Sequence, residues 1–129
     1  MEGGEKMIRS YKDLIVWQKA FKLALNVYEV TKKFPKEEVY GLTSQMRRCA
    51  ISIPSNIAEG YARHRRLEYI QFLQIAFASG AELETQLLIA KELGLVGQKD
   101  FETVSSQLDE VMKMLNSLIG KLKRYKTNA

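Results

Sequence analysis

The sequence contains few of the residues that hold metals, form disulfides or interrupt helices. Of its 129 residues, one is cysteine, one is histidine and two are proline. The single Cys49 cannot form an intramolecular disulfide and has no ligand partners at metal spacing, so we expect it to pack as a small hydrophobic side chain. One histidine also excludes the two Glu-x-x-His pairs of di-metal helical bundles. We therefore predict no metal and no cofactor.

Long apolar runs and phosphate-binding loops are also missing. No stretch reaches the ~18 apolar residues of a membrane span, and the first residues lack the apolar core of a signal peptide. These absences predict a cytoplasmic protein with no membrane partner. The chain has no Gly-rich phosphate loop, Ser52 and Ser55 have no histidine nearby in sequence, and His64 has no orienting acid in register. We accordingly expect no catalytic residues and interpret the protein as non-enzymatic.

Apolar residues recur in steps of three and four along four segments, which is typical of amphipathic helices. The segments run from Tyr11 or Asp13 to Lys33, from residues 38–44 to Gly60, from Leu67 to Leu93, and from Lys99 to Tyr125. Short connections between them predict an all-α fold, an antiparallel up-down-up-down four-helix bundle with its second helix kinked at Pro54. Residues 1–10 are predicted to be a flexible lead, 11–125 a single domain and 126–129 a frayed tail.

The apolar faces differ in width. In the first helix the predicted inward residues are Leu14, Trp17, Phe21, Ala24, Tyr28 and Thr31, and in the fourth they are Phe101, Val104, Leu108, Val111, Leu115, Leu118, Leu122 and Tyr125. The third helix is apolar over an arc too wide for one buried face, which predicts a subunit interface. The candidate interface residues are Ile70, Phe77 and Leu88.

Positive charge is concentrated in part of the sequence. The net charge is +5, and residues 41–66 contain five arginines against one acid, Glu59. Clustered cations of this kind are suited to phosphate-backbone contact, although they also fit a solvated helix start whose arginines pair with Glu68 and nearby acids. The candidate nucleic-acid-binding residues are Arg47, Arg48, Arg63, Arg65, Arg66, Lys123 and Arg124.

The segment Ser52–Gly60, with the sequence SIPSNIAEG, places a proline inside a predicted helix. Such a proline removes a backbone hydrogen bond and costs ~3 kcal/mol. Polar residues on one face of the segment predict a structural network that satisfies freed backbone groups and sets helix pairing, with Glu82 opposite. The alternative is a ligand or nucleotide pocket at the kink. The predicted network residues are Ser52, Pro54, Asn56, Glu59, Gly60 and Glu82.

These residues resemble the four-helix-bundle family that includes the proteins encoded by intervening sequences in 23S rRNA genes. The resemblance covers residues 11–122 and rests first on Arg47-Arg48, SIPSNIAEG, Tyr61 and Arg63. Further matching segments are Trp17-Gln18-Lys19-Ala20, Phe34-Pro35-Lys36-Glu37-Glu38, Tyr40-Gly41-Leu42-Thr43-Ser44-Gln45 and Glu82-Leu83-Glu84-Thr85-Gln86-Leu87. Two features depart from the family pattern: Arg65 stands where a serine often caps the third helix, and Ala78-Ser79-Gly80 replaces a usual Gly-Ser-Leu order.

The family is similar to the accessory variability protein of diversity-generating retroelements, a basic homopentameric barrel that engages a reverse transcriptase and nucleic acid. The resemblance therefore implies a homo-oligomer, a pentamer, as the assembly. Together with the basic cluster, it predicts a non-enzymatic protein that contacts RNA or DNA without sequence readout. The alternative is a protein–protein scaffold with no direct affinity for nucleic acid. An enzyme with a pocket at the Pro54 kink is a third interpretation.

Overall fold

The structure of the protein is a computed structural model, in which residues 7–125 are described. Most of this part of the chain is helical, and it contains no strand. Two short 3-10 helices, Tyr11–Asp13 and Lys36–Glu38, precede the first and second α-helices. The α-helices are α1 (Ile15–Thr31), α2 (Leu42–Ala62), α3 (Arg66–Glu92) and α4 (Gln98–Arg124). The predicted all-α fold is confirmed.

The helices form a square in which each one packs against two others. Among the described residues, α1 contacts α2 and α4, and α3 contacts the same two helices. Residue pairs across α2 and α3 show the antiparallel direction, because Ser52 meets Ser79 whereas the later Arg63 meets the earlier Glu68. Each connection is too short to cross the bundle, so chain order and spatial order coincide. The structure is therefore the predicted four-helix bundle.

The start of the domain is capped by side chains. The Ser10 hydroxyl accepts from the backbone N–H of Lys12, and Asp13 completes a capping box with Ser10. The predicted lead, residues 1–10, therefore overlaps this cap at its end. Its first six residues and the predicted tail, residues 126–129, lie outside the part of the chain that the structure describes.

The helix α2 continues through Pro54 and ends at Ala62, so the predicted end at Gly60 was wrong. The turn to α3 is made instead by His64, whose φ of 58° lies in the left-handed region. Gly60 has a different role, because a Cβ at this position would lie 2.7 Å from Cβ of Phe72 on α3. The glycine lets α2 and α3 approach closely. A kink at Pro54 remains a prediction.

The core includes a different face of α1 from the one predicted. Ala24 and Thr31 are buried as expected, but Phe21 is 47% exposed, and Trp17 and Tyr28 are only half-buried. The aromatic residues lie on the side of α1 that faces α2 and solvent, because Val16, Ala20, Leu23, Val27 and Val30 occupy the core face beside them. The predicted stripe followed a spacing of three and four residues, and the smaller residues that fill the centre of the bundle have the same spacing.

The predicted inward residues of α4 are largely confirmed. Val104, Leu108, Val111 and Leu115 are buried, and Leu118 and Leu122 pack against the core. Tyr125 at the helix end was predicted to be inward but is 71% exposed, and Ile119 is buried instead. The turn after α3 is closed by Gly94, at a φ of 74°, with the N–H of Leu95 donating to the carbonyl of Ala90.

Candidate nucleic-acid interface and the network around Pro54

One end of the bundle gathers the C-termini of α2 and α4 with the N-termini of α1 and α3. We call it the basic end and define it by residues 59–68 and 121–125, which contain six Lys and Arg residues against two carboxylates. The opposite end, residues 29–38 and 91–102, contains five cations and six acids. Positive charge is therefore in excess at the basic end, whereas cations and acids nearly balance at the opposite end.

Three of the five predicted phosphate-binding residues at the basic end converge between α3 and α4. Arg66 donates from Nη1 to the backbone carbonyl of Leu122 at 3.1 Å, which ties the start of α3 to the end of α4. Beside this contact, Arg66, Lys123 and Arg124 line a shallow groove of about 1000 Å³ between the two helices. Neither α3 nor α4 alone brings these cations together. We call this the α3–α4 groove.

Arg63 is neutralised within the protein. Its guanidinium donates to the Glu59 carboxylate at 3.0 Å, lies 3.5 Å from the Glu68 carboxylate, and sits 4.9 Å above the Phe72 ring centroid. The hydrogen bond to Glu59 raises the pKa of the Arg63 guanidinium above its ordinary value. Both carboxylates of the basic end are thus used by one arginine, which leaves the other cations there without a carboxylate from residues 59–68 or 121–125.

Arg65 is the N-cap residue of α3, and its side chain is exposed. It provides no side-chain hydrogen bond to the first turn of the helix. A serine at this position would accept from the free N–H groups of that turn and stabilise the helix. The chain therefore has a cation where the local structure favours a short polar cap, and α3 nevertheless begins at Arg66.

Arg47 and Arg48 do not belong to the basic end, so the predicted set of seven residues is divided by the structure. Arg47 precedes Arg63 by 16 residues of continuous helix, roughly 24 Å along its axis. Its Nε donates to the Thr31 hydroxyl at 2.8 Å, its Nη2 lies 3.4 Å from the Tyr28 carbonyl, and its guanidinium stacks on the Tyr28 ring at 4.4 Å. Arg47 therefore holds the C-terminal turn of α1 against α2.

The predicted network around Pro54 is present in part. Asn56 donates from Nδ2 to the Ser52 carbonyl at 2.8 Å and to the Ser52 hydroxyl at 2.9 Å. The Ser52 hydroxyl is in turn 2.8 Å from that of Ser79 on α3. Two predicted members lie elsewhere, because Glu59 is exposed and pairs with Arg63, and Glu82 is exposed on α3.

Ser79 was not among the predicted network residues. It lies in the segment Ala78-Ser79-Gly80, which departs from the family pattern at the residues on either side of the serine. Gly80 beside it is buried against Met112 of α4, so the short segment contacts two helices at once. Ser79 and Gly80 follow the buried Ala76 by three and four residues, and their small size allows this close approach.

The α2–α3 interface also contains Cys49, which is buried as predicted. Burial first, and then the nearby Glu82 carboxylate, raise the pKa of the Cys49 thiol, while a hydrogen bond with Gln86 acts in the opposite direction. Gln86 is 6% exposed, and its Oε1 has no hydrogen-bond partner among the described residues. Nearer the basic end, burial raises the pKa of Tyr69 to about 12. Both groups are neutral near pH 7.

Pro54 faces α1 and lines a second depression, of about 460 Å³, which we call the aromatic groove. Its walls include Trp17, Phe21, Leu25 and Tyr28 of α1 with Ile51 of α2, and none of its lining residues is charged. Trp17 and Phe21 stack at a centroid distance of 5.1 Å. This lining offers no charged side chain to the phosphates of a nucleotide, which disfavours the alternative of a nucleotide pocket at the kink.

The predicted interface residues lie on different parts of α3. Ile70 is only 7% exposed and belongs to the core of the single chain, Phe77 is half-buried, and Leu88 is 49% exposed. Other large apolar side chains of α3 are accessible, namely Leu67, Ile75 and Ile89, and so is the C-cap residue Leu93. The single bundle therefore covers only some of the large apolar side chains of this helix.

Within residues 7–125, no group of histidine, cysteine and acidic side chains is placed to hold a metal ion. None of the described helices is both long and apolar enough to traverse a bilayer.

The fold is shared with a solved structure. A protein with unknown function from the S23 ribosomal protein family of Bacteroides thetaiotaomicron superposes with a TM-score of 0.74, over 81% of this chain and 98% of that chain. The two sequences are 23% identical, so the likeness concerns the fold alone. No curated protein matches the chain. The family model described as 23S rRNA-intervening sequence protein matches residues 12–117. Since the match spans the bundle from the first 3-10 helix to the last turns of α4, the chain belongs to the 23S rRNA-intervening sequence protein family.

Proposed function

We propose that this protein is a non-enzymatic, cytoplasmic homo-oligomer whose basic end contacts the phosphates of RNA or DNA. The assembly is a pentamer, as the resemblance to the retroelement accessory protein implies. Arg65, Arg66, Lys123 and Arg124 provide the contacts. The observation that carries the proposal is the convergence of Arg66, Lys123 and Arg124 on the α3–α4 groove.

Charge supports phosphate contact at this end. The two carboxylates of the basic end bind Arg63, and the groove cations have one acidic neighbour, the same Glu68. The C-termini of α2 and α4 tolerate cations well, because the helix dipole is negative there. A row of exposed cations around a shallow groove attracts a polyanion and releases its counterions on binding.

Sequence readout is not part of the proposal. Base recognition needs a helix or strand that enters a groove of the nucleic acid, or side chains that pair with base edges. The basic end instead presents helix termini and long, flexible cations. Such contacts position a nucleic acid by its backbone and discriminate little between sequences.

Exposed apolar side chains support self-association. Ile75, Leu88 and Ile89 of α3 are each nearly half exposed, and Leu67 is 68% exposed. A helix that is apolar on its outer face as well as its inner face gains free energy when a second surface covers it. In a ring, several copies of the basic end act on one polyanion, which increases the apparent affinity without any new type of contact.

The second candidate function is a protein–protein scaffold without affinity for nucleic acid. The aromatic groove favours it, because an uncharged groove with several aromatic walls is suited to an apolar segment of another protein. In that function, the basic end serves solubility or partner orientation.

The two functions differ in their response to salt. Nuclease-treated protein is titrated into labelled structured RNA and duplex DNA across a series of salt concentrations. If the proposal is right, the logarithm of the affinity falls linearly with the logarithm of the salt concentration. The slope should correspond to contacts with several phosphates. The variant Arg65→Glu/Lys123→Glu changes two cations on different helices and should lose most of this binding while keeping its oligomeric mass.

The matched control is Lys22→Glu/Lys99→Glu, which makes the same change of net charge at exposed positions away from the basic end. We expect this variant to retain most of the wild-type slope. Equal loss in both variants would show that net charge, and not the basic end, governs binding. Absence of wild-type binding at low salt would contradict the proposal and favour the scaffold.

A further inference from the structure

A depression beside the first turns of α2 brings two arginines together. Its volume is about 370 Å³, and its lining includes Ser44, Arg47, Arg48 and Ile51 of α2 with Tyr28 of α1. The four residues of α2 follow one another in steps of three and four, or are adjacent, so they share one face of the helix. We call this depression the arginine pocket.

Arg47 is held in place by the protein itself. Its Nε donates to the Thr31 hydroxyl, its Nη2 donates to the Tyr28 carbonyl, and its guanidinium stacks on the Tyr28 ring. A guanidinium has five N–H groups. These contacts use two of the five, and the others have no acceptor within residues 7–125. A cation that is already fixed, with donors to spare, loses little conformational entropy when an anion binds to it.

The charge of the arginine pocket is not neutralised. Within the described part of the chain, neither Arg47 nor Arg48 forms an ion pair with a carboxylate, in contrast to Arg63. The acid nearest to them in sequence is Glu38, which accepts from the backbone N–H of Leu42 at 3.3 Å and caps α2. No acidic residue lines the pocket. Two positive charges therefore share a depression without a negative one.

Two hydroxyl groups beside the arginines are also free. Thr43 lines the pocket and is only 7% exposed, yet its hydroxyl forms no hydrogen bond with any described residue. The half-buried Ser44 hydroxyl likewise has no partner among these residues. Buried polar groups in proteins are nearly always hydrogen-bonded, so an unpaired hydroxyl in the wall of a cationic pocket indicates an oxygen atom of a ligand.

We propose that the arginine pocket binds the phosphate group of a small phosphate monoester. Such a group has three acceptor oxygens and a charge of about −1.5 to −2 at pH 7, which matches two arginines and two hydroxyls. Tyr28, Val39 and Ile51 are the apolar part of the lining, and Val39 and Ile51 are 46% and 45% exposed. They fit an apolar or aromatic body attached to the phosphate.

This site is separate from the proposed contact with nucleic acid. Roughly 24 Å of helix lies between Arg47 and Arg63 at the basic end. A phosphate of the nucleic-acid backbone is a diester, which has a single negative charge and would leave one of the two arginines unpaired. The arginine pocket should therefore discriminate between a monoester and a diester, whereas the basic end binds diesters by charge alone.

Calorimetric titration at constant ionic strength tests the ligand class. Phenyl phosphate should bind with one molecule per chain, and inorganic phosphate should bind more weakly because it has no ring to contact the apolar lining. Phenyl methyl phosphate, the corresponding diester, should bind about 10-fold more weakly or less, since it has lost one charge and one acceptor oxygen. Equal affinity for the monoester and the diester would overturn the proposal, as would no binding of phenyl phosphate.

A pair of matched variants locates the site. Arg48→Gln removes one charge from the pocket at an exposed position, and it should weaken the binding of phenyl phosphate about 10- to 100-fold. Arg65→Gln removes the same charge at the basic end and should leave this affinity within about twofold, because distant exposed charges are screened. Equal losses in the two variants would show that only net charge matters and would contradict the proposal.

Folding and nucleic-acid binding are measured on the same samples. Helical content from circular dichroism identifies a variant that fails to fold, and Ser44→Asp, which places a negative charge in the pocket, then replaces Arg48→Gln. Arg48→Gln should keep the wild-type salt dependence of binding to duplex DNA. If the protein binds phenyl phosphate but no nucleic acid, the proposed function is wrong and this inference stands. The reverse result contradicts this inference alone.

Discussion

Ser52 Oγ lies 2.8 Å from Ser79 Oγ, so the segment that contains Pro54 is bonded to α3 directly. Asn56 donates to both the hydroxyl and the carbonyl of Ser52, which orients the hydroxyl toward its partner. The polar residues around the proline thus act on the pairing of two helices. They do not converge with Glu59 or Glu82 on a common site.

A double-mutant cycle measures this contact. Ser52→Ala and Ser79→Ala should each reduce the free energy of unfolding by about 1 kcal/mol, because each leaves a half-buried hydroxyl or amide with one partner fewer. Since the residues are in contact, their effects should not add, and we expect a coupling of about 0.5–1 kcal/mol in urea unfolding. Strictly additive losses would show that the hydrogen bond does not form in solution.

Gly60→Ala should destabilise the protein although alanine is the better helix former. The added Cβ would lie 2.7 Å from Cβ of Phe72, an atom that cannot move unless α3 moves. We expect a loss of about 1–3 kcal/mol in urea unfolding, as for other overpacked positions.

The matched control for this substitution is Gly120→Ala on α4. There the new Cβ would meet only the end of the Arg124 side chain, at 3.6 Å. Helix propensity then dominates, and stability should rise by about 0.5–1 kcal/mol. If both variants are stabilised, the close approach of α2 and α3 is looser in solution.

Arg65→Ser should raise the stability of the protein and weaken its binding to nucleic acid. A serine N-cap accepts from a free N–H of the first turn of α3, so we expect the free energy of unfolding to rise by about 1 kcal/mol. The same change removes a cation from the basic end. The slope of log affinity against log salt for duplex DNA should fall by about 0.9 if Arg65 contacts one phosphate. An unchanged slope would exclude Arg65 from the interface.

Arg47→Ala and Arg48→Ala should differ in stability and not in binding. Arg47→Ala removes two hydrogen bonds and a ring contact at the end of α1, so it should cost about 1–2 kcal/mol in urea unfolding. Arg48 is exposed, and its removal should change stability by less than about 0.5 kcal/mol. Neither variant should alter the salt slope strongly, because both residues lie far from the basic end. A large loss of binding in Arg48→Ala would extend the interface along α2.

Much of the fold follows from periodicity in the sequence. The limits of the four helices lie within four residues of the predicted ones, because apolar spacing and turn residues such as Phe34-Pro35 and Gly94 act locally. The end of α2 was predicted incorrectly, and the error and the prediction both come from Gly60. Gly60 was interpreted as a helix stop, but its missing side chain is needed by Phe72 on another helix.

The candidate sites depended more on packing. A run of arginines indicates phosphate contact, yet only the fold separates Arg47, which holds α1, from Arg66, which meets Lys123 across the α3–α4 groove. The aromatic stripe of α1 was predicted to be core because its residues recur in steps of three and four. Its real position depends on which face of α1 the neighbouring helices α2 and α4 cover.

By itself, the sequence determined the helices, their order, the family and the excess of positive charge, since these depend on residue spacing and on segments that are contiguous in the chain. The tertiary structure alone decided which residues of distant helices meet. Ser52 contacts Ser79, Arg63 pairs with Glu59 and Glu68, and Phe21 and Leu25 stay exposed. The physical reason is that each helix has several faces of similar polarity, and only simultaneous packing against two neighbours selects the face that is buried.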